Sequence, residues 1–264
     1  MHIGISTACF YPLPIELAID RIAALGFDTI EIFFNTDSEY EPAFLDLIAE
    51  RLHRYGITLV SIHPFTSLME GMLLFSQYER RTQDGLKQYH RYLRAGHRLG
   101  AKYLTLHGER SMAKDATPEE MAQRCAVYRT LCAIAAEEGM VIAQENVAWC
   151  KSREPAYLRQ LYDNVPDLRY TLDIKQAGRA GHHWREYLDV MGDRLVNVHI
   201  NDWSETESCL LPGEGDMDYP AFFDALRRAN YDTQALIEVY SANYTSEDQL
   251  MRAAQVLQQA VRRK

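Results

Sequence analysis

The sequence predicts an α/β fold closed into a single (β/α)₈ barrel, one domain over residues 1–264. Three observations carry that prediction. Eight short β-rich runs alternate with longer helical runs from one end of the chain to the other. Most of the β-rich runs are nearly continuous in apolar and β-branched residues, as strands are when a parallel sheet is covered on both faces. The first strand runs into Ala8-Cys9-Phe10-Tyr11-Pro12-Leu13-Pro14 and not into the G-x-G-x-x-G turn that would favour an open, doubly wound sheet.

The expected strands are His2–Thr7, Thr29–Phe34, Thr58–His63, Tyr103–His107, Val141–Glu145, Tyr170–Asp173, Val196–His199 and Leu236–Val239. Ile15, Ala18, Ile22 and Leu25 carry helical spacing, and Gly26 stops that helix. Leu45, Ile48 and Leu52 continue to Gly56, and the run from Tyr78 to Leu99 closes at Gly100. Thr117-Pro118-Glu119-Glu120 opens a helix with a cap, a first-turn proline and acids at the positive dipole end; it runs to Gly139. Ser246-Glu247-Asp248-Gln249 has the form of a capping box before a last helix to Val261. Residues 203–219 are the one long irregular piece, on the side where barrel loops build active sites.

Composition narrows the function classes. The chain is 47% hydrophobic and 25% charged, which excludes a disordered chain. Its 28 basic and 37 acidic side chains leave a net charge of −9, which disfavours a nucleic-acid partner. No run reaches the ~20 apolar residues of a membrane span, and the N-terminus reads as a strand, so a cytoplasmic protein is expected. The five cysteines form no C-x-x-C pair, and no disulfide framework is expected. Cys125 and Cys132 read as small apolar residues of one buried helix face.

Chemistry concentrates at the strand ends. The third to eighth strands carry His63, His107, Glu145, Asp173, His199 and Glu238 in that order. A barrel gathers such ends at one mouth. Any one of them alone reads best as a satisfied polar residue. Together, with Glu145 and Glu238 in apolar surroundings where an unpaired carboxylate is costly to bury, they read as a cation site. Mixed nitrogen and carboxylate ligands suit Zn²⁺ or Mn²⁺. Glu145, Asp173, His199 and Glu238 form the expected set; His63 and His107 are read either as further ligands or as substrate contacts. Phe10, Tyr11, Phe33, Phe65, Trp149, Trp203 and Tyr240 are candidates to wall a sugar ring, with core packing an equal reading. Lys175 reads as a surface lysine.

Ser61-Ile62-His63-Pro64, Leu104-Thr105-Leu106-His107-Gly108, Gln144-Glu145-Asn146, Leu172-Asp173-Ile174-Lys175-Gln176, Val198-His199-Ile200-Asn201-Asp202, Leu211-Pro212-Gly213-Glu214-Gly215-Asp216 and Ile237-Glu238-Val239 follow one another in this order. In order and placement they resemble the xylose isomerase-like TIM-barrel superfamily, which includes sugar isomerases and epimerases and the endonuclease IV-type nucleases. The resemblance covers nearly the whole chain. It implies a divalent-metal-dependent isomerase or epimerase acting on a sugar or sugar phosphate. Glu145, Asp173, His199 and Glu238 would hold one divalent metal ion, Mn²⁺ or Zn²⁺, with a second ion left open. Glu145 and Glu238 would also be the catalytic pair, one taking the proton beside a carbonyl and the other returning it. His63 and His107 match positions that join the Glu145-like residue on a second metal in the nuclease branch.

The departures set limits. The nuclease branch carries Asp-x-x-His where this chain has Asp173-Ile174-Lys175-Gln176, and Asp-x-His where it has Glu207-Ser208-Cys209. A three-zinc site is therefore not expected. The epimerases commonly have a histidine at Gln176 and an arginine after the His199 position; here no arginine follows until Arg227. Gln176 and Trp203 are taken as substrate-binding candidates. The alternatives kept open are an endonuclease IV-like phosphodiesterase on abasic DNA, a dehydratase or lyase on the same scaffold, and a non-catalytic metal-binding barrel. The expected partner is a small polyhydroxylated carbonyl compound, and a homo-oligomer is left open.

Overall fold

Alternation along the strands decides what faces the barrel interior. Ser6, Glu31, Ser61, Thr105 and Asn197, from five different strands, hydrogen-bond to one another or to Glu31, so they share one interior layer. Apolar residues such as Ile30, Ile32, Ile62, Leu104 and Leu172 are fully buried around it. Burial of each such side chain contributes roughly 1.5–3 kcal/mol.

A computed structural model describes residues 1–110 and 117–262. Its strands are β1 His2–Ser6, β2 Thr29–Phe33, β3 Thr58–His63, β4 Tyr103–Leu106, β5 Val141–Glu145, β6 Arg169–Asp173, β7 Leu195–Ile200 and β8 Gln234–Ile237. They pair in parallel in sequence order, and β8 returns to β1, closing the barrel. The fold is the expected single (β/α)₈ barrel. Among the described residues the helices are α1 Ile15–Ala24, α2 Pro42–Tyr55, α3 Glu70–Leu73, α4 Glu79–Arg98, α5 Pro118–Glu137, α6 Pro155–Asn164, α7 Ile174–Ala180, α8 Trp184–Met191, α9 Tyr219–Arg228 and α10 Asp248–Arg262. None is long and apolar enough to cross a membrane. All five cysteines are free and buried.

The local signals hold where their chemistry is short-range. Thr117 and Glu120 exchange side-chain and backbone bonds of 2.9 and 3.2 Å at the start of α5. Gly56 ends α2 at φ 65°, a conformation that favours glycine. Elsewhere boundaries move. β8 lies two residues earlier than expected, because Gln234 joins the ladder opposite His2 and donates from its side chain to Val196 O at 2.7 Å. Glu238 therefore follows the strand rather than sitting in it. The ladder still reaches it, through Glu238 N to Ile200 O at 3.0 Å.

The irregular piece after β7 is built around Asp202. Its carboxylate accepts from the backbone N–H of Trp203, Gly213 and Met217 at 2.9, 2.9 and 3.0 Å. Gly215 lies so close that an added Cβ would stand 2.1 Å from Trp203 O.

Candidate metal centre

Parallel strands deliver their C-terminal ends to one rim. Glu145 ends β5, Asp173 ends β6, His199 is the penultimate residue of β7, and Glu238 follows β8. The ends are pinned individually. Asn146 accepts from Asp173 N and donates to Asp173 O, both at 2.8 Å, tying β6 to the turn after β5. Asp173 also caps α7: its Oδ1 accepts from Gln176 N at 2.9 Å. That leaves Oδ2 facing the barrel axis.

Four ligand atoms from Glu145, Asp173, His199 and Glu238 lie within 4.8 Å of one another. His199 Nδ1 is 2.6 Å from Glu238 Oε2, 3.5 Å from Glu145 Oε1 and 4.0 Å from Asp173 Oδ2. Yet His199 Nδ1, Asp173 Oδ2 and Glu238 Oε2 are buried and make no hydrogen bond. Buried polar atoms are nearly always satisfied. Three orphans converging on one point fit ligands of a cation.

A residue that the sequence reading missed explains the histidine. Glu31, fully buried on β2, accepts from Ser61 Oγ at 2.6 Å and Thr105 Oγ1 at 3.2 Å, and faces His199 Nε2 at 3.2 Å. A carboxylate only accepts, so Glu31 can take the Nε2 proton of the ring, and the other nitrogen, Nδ1, is the one that faces the cluster. Nothing in the segment Thr-Ile-Glu-Ile-Phe marks Glu31; a carboxylate alternating with isoleucines on a buried strand is the only signal it leaves.

Burial opposes a charge on His199, but the carboxylates of Glu31 and Glu238, with Glu145, push its pKa well up. Burial likewise opposes ionisation of Glu145 and Glu238. The imidazoles of His107, His199 and His63 nevertheless hold Glu145 well below the usual carboxylate range, and Lys175 and His199 do the same for Glu238. Burial pushes Asp173 up to about 7, with Glu238 and Glu145 adding to it and Lys175 opposing. The cluster as a whole is short of positive charge.

Lys175 is not the surface residue that was expected. It is 2% exposed, with Nζ 3.4 Å from both Asp173 Oδ2 and Glu238 Oε1. The reason is its place on the first turn of α7: the turn that lets Asp173 cap the helix also aims the next-but-one side chain into the barrel mouth.

His63, His107 and Glu145 form a second group of ligand atoms within the same 4.8 Å limit. The Ser67 hydroxyl donates to Pro64 O, so it accepts from His63 Nδ1 at 2.9 Å. His63 Nε2 lies 3.5 Å from Glu145 Oε2, and His107 Nε2 is 3.2 Å from the same oxygen. Above both groups opens a cavity of about 500 Å³ walled by Tyr11, Phe33, Phe65, Leu68, Trp149 and Tyr240, with Glu145, Lys175, Gln176 and Glu238 on its floor side. Gln176 lines it while its Oε1 accepts from Ala148 N at 3.2 Å. Trp203 is not among the lining residues; it packs against the hydrophobic core.

Comparison with known proteins follows the geometry. The family model described as xylose isomerase-like TIM barrel matches residues 19–260. An uncharacterized protein of Mycobacterium leprae is 25% identical over 93% of this chain and 91% of its own. A D-tagatose 3-epimerase-like protein superposes with a TM-score of 0.82 at 18% identity, covering 99% of this chain and 97% of that one. The 3-keto-D-glucoside 4-epimerase of E. coli superposes at 0.78 and 21% identity, covering 98% and 99%. The IOLI protein with a binding zinc atom superposes at 0.79 and 17% identity, covering 98% and 96%.

Proposed function

The chain belongs to the xylose isomerase-like TIM-barrel family, and on that premise we propose that it is a divalent-metal-dependent sugar isomerase or epimerase. The observation that carries the proposal is the convergence of Asp173 Oδ2, His199 Nδ1 and Glu238 Oε2, all buried and without hydrogen bonds, beside Glu145 Oε1. Glu145, Asp173, His199 and Glu238 would hold Mn²⁺ or Zn²⁺. When bound, such an ion polarises a carbonyl oxygen and offsets the negative charge that develops on it.

The chain's own groups do the rest. Glu145 and Glu238 both reach the cavity, where a carboxylate can accept a proton from the carbon beside the carbonyl. They come from β5 and the end of β8, with His199 of β7 between them. That placement suits a proton taken on one side of the substrate and returned on the other. Trp149 and Phe33 offer flat apolar walls for the C–H face of a sugar, and Gln176 offers an amide to a hydroxyl.

The His63–His107–Glu145 group supports a second reading, a two-metal hydrolase acting on a phosphodiester. The charge of −9 and the Lys175-Gln176 pair in place of further ligands weigh against a DNA substrate. The deciding experiment is elemental analysis of the purified protein together with solvent-deuterium incorporation into a panel of ketoses. Glu145→Gln should lose deuterium incorporation. Cleavage of an abasic duplex at catalytic rates, with no exchange into any sugar, would sink the isomerase reading.

A further inference from the structure

We infer that Lys175 is a resident counter-ion of the metal centre: it engages Glu238 Oε1 so that Oε2 alone is left for the divalent cation, and it weakens the hold of the four ligands on that ion. The inference rests on the metal reading given above. Its basis is the position of the ammonium. Nζ donates to Glu238 Oε1 and to the Glu238 carbonyl oxygen, both at 3.4 Å, and pairs as an ion with Asp173 Oδ2 at 3.4 Å. The Tyr240 ring covers it at 5.2 Å, and Arg179 in turn holds the Tyr240 hydroxyl at 2.7 Å. The lysine is thus fixed, not a mobile arm over the mouth.

Glu238 is divided between two cations. Oε1 faces the ammonium, while Oε2 turns to His199 Nδ1 at 2.6 Å, where the other ligand atoms converge. Glu145, Asp173 and Glu238 exceed a divalent ion by one negative charge, and Lys175 places a positive charge beside two of them. Like charges a few ångströms apart in a buried site repel strongly. The ammonium therefore opposes the metal.

The test is Mn²⁺ titration, by calorimetry, of the unmodified protein, Lys175→Met and Lys175→Arg, with circular dichroism confirming the fold. Lys175→Met should bind Mn²⁺ at least about tenfold more tightly, whereas Lys175→Arg, which keeps the charge, should stay within about threefold of the parent. A methionine variant that binds no more tightly than the parent overturns the inference. A second measurement needs no variant. In protein labelled with ¹⁵N-lysine, one buried ammonium signal should shift on saturation with Zn²⁺ and remain distinct from the exposed lysines. Its merging with them would mean that the metal displaces Lys175, and overturns the inference equally. If the parent binds neither Mn²⁺ nor Zn²⁺, the metal reading itself falls, a separate outcome.

Discussion

Glu31 Oε2 stands 3.2 Å from His199 Nε2 at the floor of the barrel mouth, joining β2 to β7 across the interior. The carboxylate can accept the Nε2 proton and so orient the ring whose Nδ1 faces the cluster. Glu31→Gln keeps an acceptor but removes the charge and lets the amide turn its donor to the ring. Metal affinity measured by titration should fall by about 10–100-fold. Unchanged affinity would remove Glu31 from the metal centre.

Glu145→Gln and Glu238→Gln should each slow proton exchange by about 10²–10⁴-fold, the usual contribution of a positioned acid or base. Single-turnover deuterium incorporation at saturating metal separates this loss from weaker metal binding. If one of the two retains exchange at the parent rate, that glutamate is a ligand only and the paired-glutamate mechanism is wrong.

Glu70 on α3 is fully buried, accepting from Tyr89 Oη at 2.7 Å and from Gly108 N. Burial pushes its pKa up to about 8, against those bonds. The folded-state value is above the unfolded one, so the native protein holds this proton more tightly. The resulting stability is present in full below about pH 4.5 and is lost as pH rises toward 8. Glu70→Gln mimics the protonated side chain and should flatten that loss. Thermal melts from pH 5 to 9 should show the parent losing more than the variant; parallel curves would reject the assignment.

Gly215 leaves no room for a side chain: an added Cβ would lie 2.1 Å from Trp203 O and 2.6 Å from Asp202 Oδ1. Gly215→Ala should destabilise the chain by about 1–3 kcal/mol, as overpacking does, read as a lower urea midpoint. A midpoint equal to the parent would mean that the loop has a second arrangement.

The sequence by itself determined the barrel and picked out the strand-end residues that the barrel brings together. Strand alternation, helix caps and the absence of a phosphate-binding turn are short-range signals, and parallel closure then carries the strand-end residues Glu145, Asp173 and His199, and Glu238 just past its strand, to one rim. Only the tertiary structure decided how those residues are served. Glu31 looks like any polar residue on a strand, and its role exists only because β2 faces β7 across the interior. Lys175 looks like surface until the Asp173 cap sets the angle of α7. Trp203 follows a site histidine by four positions, yet the loop built around Asp202 packs it on the core. These outcomes depend on contacts between strands far apart in the chain, where side-chain direction, hydrogen-bond geometry and burial act together, and no spacing within one segment records them.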